Sequence, residues 1–114
     1  MSADRRRTAA DRRQAERVPA VFAVKKAIGR NVQLCQAEDI TTSGMTMKRP
    51  RGTFIVPRTE IDLSFSLPGS DEEISARGVV VHDVVVGSFR RTGVRFIAVR
   101  PEHQQLIAGY CRRG

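Results

Sequence analysis

Two groups of residues in this sequence have the types and spacing for chemistry on an anionic ligand. The first is Arg12-Arg13-Gln14-Ala15-Glu16-Arg17, near the N-terminus. A guanidinium is a planar fork that bonds phosphate oxygens in pairs. The same fork matches the O6/N7 edge of guanine, and its face stacks on bases. The second is Asp39-Ile40-Thr41-Thr42-Ser43-Gly44, three consecutive hydroxyls between an acid and a glycine. Asp39 is an acceptor suited to the N1–H and exocyclic amine of guanine. The Thr41 hydroxyl can donate to a phosphate or tie down the turn. Gly44 permits a positive φ or a close backbone approach. Together the groups read as one site, in which arginines grip an anion and the turn reads its hydrogen-bonding edge.

Each group alone is ordinary. Arginine is dense enough here for an Arg-xxx-Arg pair to arise by chance, and a second, Arg91 with Arg95, is present. Asp-x-Thr-x-x-Gly is a common turn sequence, because Asp and Thr bond their own backbone. The combination carries the signal: the arginine pair precedes the first expected strand and the turn follows the second.

The totals bound the rest. A chain of 114 residues is one domain by length and can bury a core. The net charge of +8 calls for an anionic partner: nucleotide, RNA, DNA or anionic lipid. Cys35 and Cys111 lack metal-site spacing and form no disulfide framework, so both read as buried small apolar residues. No metal or cofactor is expected. No stretch reaches the length of a membrane span, and the N-terminal arginines are not followed by the apolar core of a signal peptide. A cytoplasmic protein without membrane insertion is expected.

The elements that must position the site are mostly strands. Residues 1–17 carry Arg5, Arg6, Arg7, Arg12, Arg13 and Arg17 with no apolar periodicity, and are expected to form a flexible arm. Residues 18–114 form the folded domain. Strands are expected over Val18–Ala27 and Val32–Ile40, separated by the turn Gly29-Arg30-Asn31. A short third strand covers Met45–Met47 and is stopped by a basic loop, Lys48-Arg49-Pro50-Arg51-Gly52. Thr59–Leu67 alternates most clearly, with Ile61, Leu63, Phe65 and Leu67 in phase. It pairs through the turn Pro68-Gly69-Ser70-Asp71 with a strand over Glu73–His82. Val84–Arg91, with Gly87-Ser88 in its middle, is ambiguous, and Val94–Val99 is the last strand. Pro101 and Glu102 open a short helix whose Leu106, Ile107 and Tyr110 share a stripe. The fold class is an all-β barrel with a C-terminal helix.

Arg13-Gln14-Ala15-Glu16-Arg17 followed by Asp39-Ile40-Thr41-Thr42-Ser43-Gly44 resembles the signature of the PilZ domain, RxxxR then (D/N)xSxxG. The resemblance covers nearly the whole chain, including Gly78-Val79-Val80-Val81-His82, Thr92-Gly93-Val94-Arg95-Phe96 and the late helix. It implies a six-stranded antiparallel barrel that binds the bacterial second messenger cyclic di-GMP. It places Arg13 and Arg17 on phosphates and guanine, Asp39 on a guanine edge, and Thr41 and Gly44 at the motif serine and glycine. Arg12 falls where a further basic residue helps hold a second, stacked nucleotide. Thr41 departs from the motif serine by a methyl group that restricts χ1. His82 falls about where many members carry an aromatic that stacks on the ligand, and a plain strand histidine is the alternative.

The resulting reading is a non-catalytic cyclic di-GMP receptor, not an enzyme, that relays the signal to an unidentified effector protein in motility, pilus or biofilm control. Two alternatives stand beside it. One is a PilZ-like adaptor acting by protein contact without nucleotide. The other is a basic nucleic-acid-binding barrel, favoured by Lys48-Arg49-Pro50-Arg51 and Arg90-Arg91. An aromatic content of 5% makes nucleic acid the weaker reading, since single-strand binding leans on aromatic stacking. The oligomeric state is left open.

Overall fold

The computed structural model describes the backbone of residues 18–113 and the side chains of residues 21–113. Residues 1–17, and with them Arg12, Arg13 and Arg17, lie outside the described residues.

Alternation of apolar and polar side chains decides which way each strand faces. The strands are β1 (Val18–Ile28), β2 (Asn31–Ile40), β3 (Gly44–Pro50), β4 (Glu60–Ser66), β5 (Glu73–Val86) and β6 (Phe89–Val99). A single helix, α1 (Pro101–Arg113), follows. In β4, Ile61, Leu63 and Phe65 are buried while Glu60, Asp62 and Ser66 point out. All strand pairs are antiparallel, and the sheet closes in the order β1-β2-β3-β6-β5-β4. The expected six-stranded barrel with a C-terminal helix is therefore the fold that forms.

The two ends of the barrel are closed differently. At the end where β2, β4 and β6 finish, α1 packs with Ile107 fully buried and Leu106 and Tyr110 against the core. His103, also buried, accepts a hydrogen bond on Nδ1 from Ser75 N at 3.2 Å. At the other end, residues 51–59 cross from β3 to β4 and insert Ile55 into the core.

The structure corrects several boundaries. The third strand does not stop at Met47, and Lys48, Arg49 and Pro50 are not a loop. They pair with Arg91, Arg90 and Phe89 of β6. Arg49 continues the inward phase of Met45 and Met47 and is buried. An internal carboxylate, described below, makes that inward arginine stable. Pro50 ends the strand, where a missing donor is tolerated. The ambiguous stretch Val84–Arg91 is the tip of a long hairpin. β5 runs on to Val86, Gly87 (φ 61°) and Ser88 form the turn, and β6 starts at Phe89, five residues before the expected Val94. On β2, Val32 and Leu34 share the outer face, while Cys35 on the opposite face is buried. Cys111 is only half-buried, with Sγ 3.7 Å from Ile40 O.

Candidate functional site

The turn between β2 and β3 is tied from within by Thr41. Its backbone N–H donates to Gly44 O at 2.8 Å. Its Oγ1 accepts from Ser43 N at 3.1 Å and from Gly44 N at 3.0 Å. Thr41 therefore ties down the turn as an acceptor, while its own O–H reaches Gly44 O at 3.4 Å. Neighbouring elements hold the turn from outside. Phe96 N of β6 donates to Ser43 O at 2.8 Å, and Gln104 Nε2 of α1 donates to Thr42 O at 3.2 Å.

Two β-bulges decide which side chains reach the surface beside this turn. In β2, Cys35 and Ala37 face inward, so strict alternation would put Asp39 in the core. The register against β3 slips between Ala37 and Asp39, which makes Glu38 the extra residue. Beyond it Ile40 is buried and Asp39 is turned outward. Arg91 fixes the bulge, its Nε lying 2.8 Å from Glu38 Oε1 and its Nη2 3.4 Å from Oε2. In β5, Ile74, Ala76 and Val80 face inward, so alternation would also bury His82. The register against β6 slips between Val80 and His82, which exposes His82 and buries Asp83.

The result is a shallow cleft of about 160 Å³ that brings together Asp39, Thr41, Gly44, His82, Gly93 and Arg95. The Asp39 side chain accepts no hydrogen bond among the described residues; it is attracted to Arg91 only through space, which leaves its oxygens open to a ligand donor. The expected residues Asp39, Thr41 and Gly44 thus share one surface, with His82 across from them. Arg12, Arg13 and Arg17 fall outside the described residues. β1 begins at Val18 opposite Ile40, at the same end of the barrel as the turn.

Sequence reasoning missed Arg95 as a cleft residue. It is the second member of the Arg91/Arg95 pair that chance alone would produce. Arg91 is occupied by Glu38, whereas the cleft takes Arg95. Of the two reasons expected for Gly44, a positive φ is not the one: its φ is not in the positive region. A Cβ there would fall 2.2 Å from Val94 O, so β6 itself requires the glycine.

A second polar constellation, unrelated to the cleft, lies inside the barrel. Asp83 Oδ2 accepts from Arg49 Nη2 at 2.7 Å, Ile55 N at 2.8 Å and Arg90 Nε at 3.2 Å. Its Oδ1 accepts from Thr92 Oγ1 at 2.7 Å, and Thr92 in turn accepts from Arg49 Nε at 3.1 Å. Burial pushes the Asp83 pKa up, but the Ile55 amide, the Thr92 hydroxyl and Arg49 outweigh it and hold the carboxyl below its ordinary value. The inward phase Met45, Met47, Arg49 was the available signal, hidden by the Pro50 that follows.

Among the described residues, no group of three or more His, Cys, Asp or Glu side chains is placed to hold a metal ion. No described helix is long and apolar enough to cross a membrane.

Comparison with solved structures gives the fold a context. The inhibitor of motility MotI/DgrA from Bacillus subtilis superposes with a TM-score of 0.78 at 19% identity, over 85% of this chain and 48% of that one. The PilZ domain of CeSA from a cellulose-synthesizing bacterium gives 0.64 at 18% identity, over 82% and 96%. The PilZ domain of YcgR from Escherichia coli, solved with c-di-GMP, gives 0.65 at 12% identity, over 85% and 86%. The chain spans about half the length of the Bacillus protein. Among curated proteins no sequence matches. A family model for the PilZ domain matches residues 11–113, a span that takes in both the arginine segment and the Asp39–Gly44 turn, and the chain belongs to the PilZ domain family.

Proposed function

We propose that this protein is a non-catalytic receptor for cyclic di-GMP. The observation that carries the reading is the outward Asp39, set by the Glu38 bulge beside a turn that Thr41 has already ordered. A carboxylate with no hydrogen bond among the described residues, in a cleft that also holds His82 and Arg95, suits a guanine: acceptor for N1–H and amine, a flat ring, and a cation for phosphate. The E. coli YcgR domain and the Borreliella burgdorferi PlzA protein were solved with this nucleotide, and both resemble this fold. In this reading Arg13 and Arg17 clamp phosphates and guanine, and Arg12 assists a second nucleotide. Ordering of that segment on the ligand passes the signal to an effector protein in the cytoplasm, with motility or biofilm machinery as the target class. No cofactor is needed.

The nucleic-acid alternative loses part of its support. Arg49 and Arg90, two of the cations it relied on, are inside the barrel, and Arg91 is paired with Glu38.

Calorimetric titration of cyclic di-GMP into the wild type and Arg13→Ala, at two salt concentrations, tests the proposal. Saturable binding that Arg13→Ala loses, with an unchanged melting curve, is the expected result. A weak salt dependence separates a small-ligand pocket from a polyanion surface, whose affinity falls steeply with salt. Absence of heat and of thermal shift in the wild type would overturn the receptor reading.

A further inference from the structure

Lys26 continues the inward phase of Val24 on β1 and is only 6% exposed. Its cross-strand partners are Leu63 and Gln33. Among the described residues its side chain makes neither a hydrogen bond nor a salt bridge. Buried lysines are rare unless paired. The surroundings make the imbalance larger. Arg49 and Arg90 share the single carboxylate of Asp83, so with Lys26 three interior cations face one anion. The neighbouring Cys35 is held toward its neutral thiol, because burial pushes its pKa up against the opposing pull of Lys26 and Arg49. Burial, helped by repulsion from Arg49, pulls the Lys26 ammonium below its ordinary value, and the attraction of Cys35 and Asp83 only partly offsets it.

Lys26 is not sealed in. Among the described residues no fully buried side-chain nitrogen or oxygen lacks a partner, so Lys26 Nζ keeps an opening. That opening is a cavity of about 550 Å³ at the barrel end covered by residues 51–59, lined by Lys26, Gln33, Arg49, Thr53, Phe54 and Val56 among others. Its wall is anchored: Asp83 accepts from Ile55 N at 2.8 Å, and Arg49 Nη2 donates to Thr53 O at 2.7 Å. Phe54 and Val56 remain 48% and 62% exposed, an apolar lip beside a cationic interior. Gln33 and Asp39 are six residues apart on β2, about 20 Å along the strand. The cavity is thus separate from the Asp39 cleft.

We infer that this cavity is a second ligand site, for a small organic oxyanion whose phosphate or carboxylate meets Lys26 and whose apolar body lies against Phe54 and Val56. The anion completes the charge balance that Asp83 leaves open, and the anchored loop presents a wall that needs no reordering. The inference does not depend on cyclic di-GMP binding.

Residue-resolved NMR titration of the full chain with phenyl phosphate and, separately, benzoate tests it. The expected result is saturable shifts at the Lys26 side chain and at the Gln33, Thr53 and Ile55 amides, with Thr41 and Gly44 unmoved. The tighter of the two probes identifies the oxyanion. Lys26→Met weakens binding by about tenfold or more, the loss expected for one charge-assisted hydrogen bond, whereas Lys26→Arg retains it. Absence of saturable shifts at these residues with either probe, shifts confined to Asp39–Gly44, or undiminished binding by Lys26→Met would overturn the inference. The wild-type titration decides by itself if a variant does not fold.

Discussion

The His82 imidazole occupies the space that Gly93 leaves empty: a Cβ at position 93 would fall 2.2 Å from its Nε2 and 2.5 Å from its Cε1. The two residues are cross-strand partners at the β5 bulge. The bulge brings the ring to the surface, and the glycine lets it lie down on the sheet. The ring is exposed and free to swing aside, so Gly93→Ala moves it without unfolding the barrel. We expect Gly93→Ala and His82→Ala each to weaken cyclic di-GMP binding by about 1–3 kcal/mol, the range for loss of one base–ring stack. Calorimetry against the wild type checks this. Unchanged affinity in both variants would make His82 an ordinary surface histidine.

Gly44 differs from Gly93 in what its missing side chain would meet. The 2.2 Å contact of a Cβ there is with the Val94 carbonyl oxygen, and the next is with Arg95 Cα at 3.2 Å. Backbone cannot swing aside. Gly44→Ala therefore destabilises the fold by about 3 kcal/mol, the upper end of overpacking costs. Urea denaturation measures it, and a shift under about 0.5 kcal/mol, typical of surface changes, would contradict the close packing of β3 on β6.

Thr41→Val removes the acceptor used by the Ser43 and Gly44 amides while keeping the shape of the side chain. A loss of about 1–2 kcal/mol follows from leaving two backbone donors to weaker partners. Hydrogen exchange of the Gly44 amide should speed up in step. Thr41→Ser keeps the oxygen and the slow exchange, which would show that the hydroxyl, and not the methyl, orders the turn.

Asp83 sets the acid stability of the barrel. Its folded pKa lies below its unfolded value, so the unfolded chain binds the extra proton in acid. Its contribution is complete above the unfolded value of about 3.9 and is lost as pH falls through the folded one. Thermal melts should show no change from this group between about pH 7 and pH 5, and a decline below about pH 4. Asp83→Asn leaves Arg49 and Arg90 without their carboxylate and costs about 3–5 kcal/mol at neutral pH. The variant should also lose part of the acid-limb decline. A stable Asp83→Asn protein would mean that the interior cations are balanced by something else.

The residue order by itself determined the architecture. The period of two in Ile61, Leu63 and Phe65, the turn residues between runs, and Pro101 before the Leu106/Ile107/Tyr110 stripe carry a barrel with a late helix. Those signals are local, and each agrees with the fold. It also determined that Asp39, Thr41 and Gly44 share one turn, because they lie within six residues. Only the tertiary structure decided which way Asp39 and His82 face. Both stand in phase with buried residues on their own strands, and each is turned outward by one extra residue whose existence depends on the neighbouring strand's register. The same holds for the cations. Arg49 and Lys26 look like surface charges in a basic chain, yet their phase puts them inside. Asp83, thirty-four residues from Arg49, makes the buried arginine tolerable. A partner that distant becomes adjacent only when β3, β6 and β5 close side by side, and local pattern carries no record of that closure.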